Sequence, residues 1–504
     1  MTIETCHGNG AQRKNLQDEN PLWGSGRNNR DDLRLQWALL AFMLFWYGIL
    51  LHLSSFGPKW NLTFNSMLSH LLHGRFDVDP GIVGLEGFLR NGHVYAYWGI
   101  WGALLRLPLW LIGRMNFDMT VWSCLAAVCL AAMAKVRTVL LLRRHGAQDQ
   151  TARHATGMML AYIVLGGSEI GYLKVSIYQE VVFWAVAFAA VFVYFAVKGI
   201  VLRCFDQGTL NAMALCAGLA LLTRVSTAIG LFLALGFLLI VLSWTPESAP
   251  ATPDRQAIPA GLKAFFQRRF LLPLGVLGLS VLVTGAVNEA RWGNPLTFAD
   301  FKYYLMNADF PDRISRDAVY GMFHLSRIPF GLLYYFFPVW AIPTGADHLF
   351  LEPSFTRLFD CVELPPGTFF LTDLLPLCLI ALLVLALRRH CSGSLPPTRQ
   401  WLAIAAGLSA PCFLMLAYTA LTYRQRMEFY PEIDFLAFLG LYVVLTDEKI
   451  RAVYARRRLW IEAALIVSVV ASLLSLAFYL LSPLGPAQKS LHRYFAHGMH
   501  FLWF

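Results

Sequence analysis

The sequence predicts an all-α, polytopic transmembrane protein, and three observations support this fold class. Of the 504 residues, 57% are hydrophobic and only 14% are charged, whereas charged residues make up about 25% of ordinary soluble domains. The apolar residues form runs long enough to cross a bilayer, which takes about 20 residues per helix. Basic residues cluster between these runs. The composition therefore excludes both a soluble globule and a disordered chain.

The chain begins with a polar tail, residues 1–35, which we expect in the cytoplasm. Within 36–481 the apolar runs predict about eleven spans: 36–54, 119–142, 155–173, 178–200, 209–222, 226–244, 270–288, 371–387, 401–421, 429–446 and 459–481. Two further apolar stretches, 95–113 and 328–344, are interrupted by Arg106 or by prolines. We interpret them as interfacial or partly buried helices, and the alternative is that either one is a span.

The net charge of +10 arises from 41 Lys and Arg against 31 Asp and Glu. In a soluble protein this excess would suggest nucleic acid as a partner. Here the dense basic clusters, such as 143–144 and 451–458, fall on one side of the membrane if the N-terminus is inside, as the positive-inside rule requires. We therefore expect membrane lipids and no nucleic acid as partners. The odd number of spans places the C-terminal tail, 482–504, outside.

Two outer loops are long, 55–118 and 289–370. Loops of more than about 15 residues without secondary structure are uncommon, so we expect surface helices in both. In the segment 64–72, apolar residues at positions 64, 67, 68, 71 and 72 share one helical face. That spacing predicts an interfacial helix in the first outer loop.

Four carboxylates on the predicted outer side are candidate catalytic residues. Asp77, Asp79 and Glu86 lie in the first outer loop, and a partly buried carboxylate can act as a general base when its pKa rises toward the working pH. The alternative is a solvated acidic turn. Glu180 lies at the outer end of the fourth predicted span, where a charge is costly unless it is paired or functional. It could equally pair with Lys174 in the same turn.

Three arginines on the outer side depart from the positive-inside rule: Arg224, Arg424 and Arg426. A guanidinium fork suits a phosphate, and the alternative is a side chain that reaches toward lipid headgroups. Because the arginines and carboxylates share one side, we favour an anionic ligand. A lipid-phosphate donor, whose leaving group gains charge during reaction, fits this pattern. The sequence contains no Walker loop, HExxH, GxSxG or Cys/His ligand motif.

Several short segments, in their order along the chain, resemble the integral-membrane glycosyltransferases of the GT-C fold. The resemblance is strongest to the protein O-mannosyltransferase and lipid A aminoarabinose transferase branch. It covers about 36–446 and is carried by the segments 71–77 (LLHGRFD), 95–108, 178–180 (YQE), 218–224 (GLALLTR), 288–295 (NEARWGNP) and 424–431 (RQRMEFYP).

The resemblance implies an inverting enzyme of the bacterial inner membrane that takes a sugar from a polyprenyl-phosphate carrier on the periplasmic side. The acceptor would be a lipid, a glycan or a protein. The family's catalytic acid often follows the first span directly, but 55–64 contains no Asp or Glu. Asp77 is then the expected base, with Asp79 and Glu86 as alternatives.

In the same comparison, Glu180 matches a second acid and would position the acceptor, or a divalent metal ion if the enzyme uses one. Arg224, Arg424 and Arg426 would bind the donor phosphate. Two other classes stay open. A transporter or flippase for a lipid-linked or anionic solute would need polar residues at mid-span depth, where most predicted spans are apolar. A non-catalytic membrane scaffold would not require clustered charges on the outer side.

Overall fold

The structure is a computed structural model that describes residues 26–54, 61–167, 170–244, 268–309, 312–337, 357–362, 366–389 and 398–481. The helices in chain order are α1 (Gly26–Leu53), α2 (Thr63–Leu71), α3 (Pro80–Val83), α4 (Trp101–Leu104), α5 (Leu107–Leu111), α6 (Thr120–Arg144), α7 (Gln150–Ala161), α8 (Ile177–Val201), α9 (Gln207–Leu221), α10 (Val225–Trp244), α11 (Arg268–Trp292), α12 (Asp312–Tyr320), α13 (Ile328–Phe336), α14 (Phe369–Thr372), α15 (Leu374–Arg388), α16 (Thr398–Ala417), α17 (Tyr430–Thr446), α18 (Glu448–Arg456) and α19 (Arg458–Leu481).

Extended structure is confined, in the described ranges, to two very short pairs. Strands β1 (Phe88–Arg90) and β2 (His93–Tyr95) form an antiparallel hairpin, and β3 (Cys361–Val362) lies parallel to β4 (Ala420–Leu421). Short 3₁₀ segments and one π-turn join the helices: Gly84–Glu86, Tyr162–Gly166 (π), Ile170–Tyr172, Phe301–Tyr303, Leu305–Ala308, Leu325–Arg327 and Tyr423–Phe429. The predicted all-α polytopic fold class is confirmed.

Among the described residues, eight helices are long and apolar enough to cross a membrane. They are α1, α6, α8, α10, α11, α16, α19 and α17 with the 3₁₀ turn that precedes it. The apolar helices α9 and α15 are shorter, at 15 residues each. The count of eleven spans stays a prediction.

The predicted span 155–173 is not one regular helix. Helix α7 ends at Ala161 and continues as the π-turn. Gly166 is the last residue of the π-turn, and a Cβ there would lie 2.5 Å from the Cα of Val469 in α19. Glycine at this position therefore allows the two backbones to approach closely.

The predicted boundaries differ most at the tails and interfacial stretches. Helix α1 begins ten residues before the predicted span, within the tail 1–35, while 1–25 and 482–504 lie outside the described residues. The stretch 95–113 holds the two short helices α4 and α5. The stretch 328–344 begins with α13, and its residues after 337 are not described. Helix α2 covers residues 64–71 of the predicted helical segment 64–72.

Two basic segments predicted to be cytoplasmic lie at the same end of the bundle. Arg144 pairs with Asp32 at the start of α1, with Nε and Oδ2 2.8 Å apart. Arg451 pairs with Asp149 at the same distance, and the Ala147 N–H donates to the Leu445 carbonyl at 2.8 Å. The beginning of α1, the end of α6 and the start of α18 therefore share one face of the molecule.

The hairpin β1–β2 turns at Asn91 and Gly92, whose φ angles are 51° and 77°. Two successive positive φ angles are what a type I′ hairpin turn requires, and Asn-Gly supplies them at little cost. Phe88 packs against Trp292 at the end of α11 and stacks on Tyr304 of the second outer loop. The hairpin thereby anchors the first outer loop to the second and positions the residues that follow it.

Candidate functional site

A cavity of about 440 Å³ lies where the two outer loops meet the helix ends. Its walls are the segment 97–100 of the first outer loop, the α9–α10 turn at 221–226, the end of α11 and Arg424. Most lining side chains are apolar or aromatic, and they include the rings of Tyr97 and Tyr178. The segments 95–108, 178–180, 218–224, 288–295 and 424–431, which are far apart in sequence, each contribute residues to this cavity.

Two of the three predicted phosphate-binding arginines line the cavity. Arg424 lies over the ring of Tyr178, with its guanidinium carbon 4.5 Å from the ring centroid. Arg224 hydrogen-bonds the buried carboxylate of Glu428, which also accepts hydrogen bonds from Ser226 and from a neighbouring threonine, each at 2.6 Å. These contacts hold both guanidinium groups in place beside an apolar space.

Arg426, in contrast, does not belong to the cavity lining among the described residues. Its side chain is fully buried, and Nη2 lies 3.1 Å from Asp373 Oδ2 and 2.7 Å from the Thr372 hydroxyl. The guanidinium also lies 4.2 Å from the centroid of the Phe369 ring. This arrangement argues against the prediction that Arg426 binds the donor phosphate together with Arg424. In the 3₁₀ turn the two side chains point to different surroundings.

The predicted base, Asp77, is held among three cationic or potentially cationic side chains. Arg75 Nη2 lies 2.5 Å from Oδ2, His70 Nδ1 lies 2.9 Å from Oδ1, and His93 Nδ1 lies 3.2 Å from Oδ2. Burial alone would raise the pKa of Asp77, but the hydrogen bonds from Arg75, His70 and His93 hold it well below its usual range. A carboxylate that so strongly prefers to be ionised is a poor proton acceptor, so the geometry argues against Asp77 as the base.

Asp79 and Glu86 occupy opposite environments. Asp79 is exposed and caps α3, accepting a hydrogen bond from the Gly81 N–H at 2.9 Å. Glu86 is 6% exposed, and its Oε2 accepts a hydrogen bond from the Tyr304 hydroxyl at 2.9 Å. Asp79 thus matches the alternative of a solvated turn, whereas Glu86 is a buried carboxylate held between the two outer loops.

The phenol of Tyr97, in the cavity wall, lies close to several charged side chains. Burial, and then the negative charge of Glu86, raise the pKa of the Tyr97 phenol, while Arg424 and Arg224 lower it. The phenol therefore feels the charges of one carboxylate and two guanidinium groups. The charge of Glu86 therefore acts on a residue of the cavity wall, while Glu86 itself is not among the described lining residues.

Glu180 forms an ion pair that the sequence analysis did not foresee. Both of its oxygens bind Arg106, and Nη2 lies 2.8 Å from Oε2. Neither side chain is more than 1% exposed. Arg106 is therefore the partner that the structure shows, and the closed geometry does not suit a metal ion or an acceptor contact at Glu180. The signal for Arg106 was present, since it is a lone arginine in an apolar stretch.

Most predicted spans are apolar, but helices α6 and α17 hold a buried charge pair inside the bundle. Lys135 of α6 and Asp434 of α17 are both nearly fully buried, and Nζ lies 2.8 Å from Oδ2.

Within the described ranges, no group of three or more His, Cys, Asp or Glu side chains is arranged to hold a metal ion.

Comparison with known proteins gives one structural similarity. No family model matches the chain, and no curated protein matches its sequence. Among solved structures, the chain is similar to the archaeal oligosaccharyltransferase AglB from Archaeoglobus fulgidus, solved in complex with an inhibitory peptide and a dolichol-phosphate. The identity is 12% and the TM-score is 0.40 over 88% of this chain. The chain spans 56% of the length of that protein. A similarity of this degree assigns no activity, and what is established here is a multi-pass helical membrane protein.

Proposed function

We propose that the chain is a membrane glycosyltransferase that moves a sugar from a polyprenyl-phosphate-linked donor to a lipid, glycan or protein acceptor. One observation carries this proposal: Arg224 and Arg424 line a mainly apolar cavity at the outer ends of the helices. A ligand that fits must combine an apolar part with an anionic group. A lipid phosphate has both parts.

The proposed reaction is a single displacement with inversion. The acceptor hydroxyl attacks the anomeric carbon, the bond from that carbon to the phosphate oxygen breaks, and the polyprenyl phosphate leaves with the bonding electrons. A carboxylate takes the proton of the hydroxyl. Arg224 and Arg424 stabilise the negative charge that develops on the leaving phosphate, which is the contribution expected of fixed cationic donors.

Glu86 is the carboxylate that best fits the role of base. It is buried, it acts electrostatically on Tyr97 of the cavity wall, and its Tyr304 hydrogen bond orients it. Asp77 is engaged in ion pairs and Asp79 caps a helix. On these contacts we prefer Glu86 to Asp77 and Asp79 as the proposed base.

We place the reaction on the periplasmic side of the bacterial inner membrane, with the N-terminus cytoplasmic and the C-terminus periplasmic. The position of the cavity supports this, since all of its lining segments lie in or beside loops predicted to be outside. The ion pairs that join the basic segments lie in loops predicted to be inside. In this orientation the basic segments lie on the cytoplasmic side, as the positive-inside rule requires.

The test is sugar transfer in membranes supplied with a polyprenyl-phosphate-linked donor. Glu86→Gln keeps the shape and removes the basicity, so turnover should fall about 10²–10⁴-fold, as is typical for loss of a general base, while donor binding survives. Asp79→Asn, at the exposed cap, is the matched control and should turn over normally. If Glu86→Gln, Asp77→Asn and Asp79→Asn all retain near-normal turnover, the proposed mechanism is wrong.

The transporter alternative now rests on the buried pair Lys135 and Asp434, because a transporter needs polar residues inside the spans. Proteoliposomes decide between the two classes. A transporter would move the lipid-linked donor across the bilayer without transferring its sugar, and Lys135→Met or Asp434→Asn would abolish that movement. For the enzyme we expect these changes to lower stability and to leave the rate per folded molecule unchanged.

A further inference from the structure

Arg291 is a buried cation of the cavity wall, and no acidic side chain among the described residues pairs with it. It lies at the end of α11 and is 2% exposed. Nη1 donates to the Trp98 carbonyl at 2.8 Å, and Nη2 donates to the Met67 sulfur at 3.4 Å, which is a weak acceptor. Nε has no hydrogen-bond partner among the described residues. Arg291 takes part in none of the ion pairs within the described ranges.

Other buried arginines of the protein are compensated. Arg106 binds Glu180, and Arg426 binds Asp373. Arg327, also fully buried, donates to the carbonyls of four residues. Arg291 has only two hydrogen-bond acceptors among the described residues, one carbonyl and one thioether. A buried charge without a counter-charge is destabilising. Because Arg291 lies beside a cavity, a bound anion could supply the missing negative charge.

We infer that Arg291 binds a phosphate group of the cavity's ligand as a third cationic residue beside Arg224 and Arg424. That the ligand is a lipid phosphate rests on the proposed function. The contacts of Arg291 by themselves indicate an anion of any kind. Arg224 already shares its charge with Glu428, so Arg291 is the less compensated cation. Its contact with Trp98 also joins the anion site to the first outer loop, where Glu86 lies.

The experiment uses the purified full-length protein in detergent and two phosphate sources. Farnesyl phosphate represents a lipid phosphate, inorganic phosphate represents a free one, and farnesol is the uncharged control. The variants are Arg291→Met, Arg291→Lys and Arg90→Gln. Arg90 is the matched control because its Nη1 donates to the Arg291 main-chain carbonyl at 2.9 Å but it does not line the cavity.

We expect farnesyl phosphate, and not farnesol, to raise the unfolding temperature of the wild type. Arg291→Met should weaken farnesyl phosphate binding about tenfold or more, the loss expected for a charged hydrogen bond. Its unfolding temperature without ligand should equal or exceed that of the wild type, because an uncompensated charge has been removed. Arg291→Lys should bind with intermediate affinity, and Arg90→Gln should respond to the ligand as the wild type does.

Three results would overturn the inference: Arg291→Met responds to phosphate as the wild type does, neither phosphate source stabilises the wild type, or Arg291→Met loses both stability and response and Arg291→Lys restores neither. If Arg291→Met loses both and Arg291→Lys restores the response, the inference stands. If inorganic phosphate stabilises the protein through Arg291 and farnesyl phosphate does not, the anion site stands and the lipid donor of the proposed function fails.

Discussion

Arg424 and Arg426 are two residues apart, yet their side chains have different environments. Arg424 lines the cavity over Tyr178, and Arg426 is enclosed with Asp373 and aromatic rings. From the sequence alone the two residues could not be distinguished, because both are arginines on the predicted outer side of a span. The 3₁₀ turn that carries them decides which one can meet a ligand.

The first prediction separates these two arginines by their effect on stability and binding. Arg426→Ala leaves Asp373 buried without its partner, which typically costs about 3–5 kcal/mol, so the unfolding temperature should fall sharply. Arg424→Ala should change stability little and weaken farnesyl phosphate binding by about 1.5–3 kcal/mol. Thermal unfolding and ligand titration of both variants provide the measurement. An Arg424→Ala protein with unchanged affinity would remove this residue from the site.

The second prediction concerns the pH dependence of the Asp77 cluster. Because the folded-state pKa of Asp77 is depressed, its ion pairs stabilise the fold above the unfolded pKa of about 3.9. That contribution is lost as the pH falls through the folded pKa. Asp77→Asn should therefore be less stable than the wild type at pH 7 and at pH 5, and the difference should shrink below about pH 4. A difference that vanished already at pH 5 would contradict the depressed pKa.

At the level of elements, the cavity depends on a close contact between the first outer loop and the α9–α10 turn. A Cβ at Gly99 would clash with the Leu222 carbonyl oxygen. That same oxygen accepts a hydrogen bond from the Trp101 N–H at 2.9 Å. Glycine at this position is therefore needed for the two walls of the cavity to meet.

The third prediction follows from that contact. Gly99→Ala should move the loop away from the turn, lower the unfolding temperature and reduce farnesyl phosphate binding. Gly236→Ala in α10 is the control, because a Cβ there meets nothing within 4 Å. In a helix the change from glycine to alanine stabilises by up to about 1 kcal/mol. Equal behaviour of the two variants in thermal unfolding would show that the contact at Gly99 is not tight.

Glycines also allow close contact between helices α10 and α16 inside the bundle. A Cβ at Gly230 would lie 2.6 Å from Pro411 Cγ, and a Cβ at Gly407 would clash with the main chain of Ala234. Small residues that let two helix backbones approach closely are typical of membrane helix pairs. The sequence contains these glycines, but it does not show which helix each one faces.

At the level of the whole molecule, the fourth prediction concerns topology. Reporter fusions at 451–458 and within 482–504 should read opposite sides of the membrane, because one span, α19, separates them. A fusion at 143–154 should match the one at 451–458, since Arg451 pairs with Asp149. Identical signals at 451–458 and 482–504 would contradict the eleven-span topology.

The sequence by itself determined the fold class and the position of most of the long apolar helices. Length and hydrophobicity of a run are local properties, and a bilayer selects helices on those properties alone. The predicted helix at 64–72 was equally accessible, because its apolar spacing is a local pattern. The sequence also identified the segments, though not always the residues, that form the candidate site.

Only the tertiary structure decided which charges are paired and which reach the cavity. Asp77 is engaged by His70 and Arg75, Glu180 by Arg106, and Arg426 by Asp373. Arg106 is 74 residues from Glu180 in the sequence, and Asp373 is 53 residues from Arg426, so no local pattern predicts these two pairs. In a low-dielectric interior an ionised group must be compensated by whatever lies next to it. Its neighbours, and not its residue type or its side of the membrane, therefore decide whether it stabilises the fold or binds a ligand.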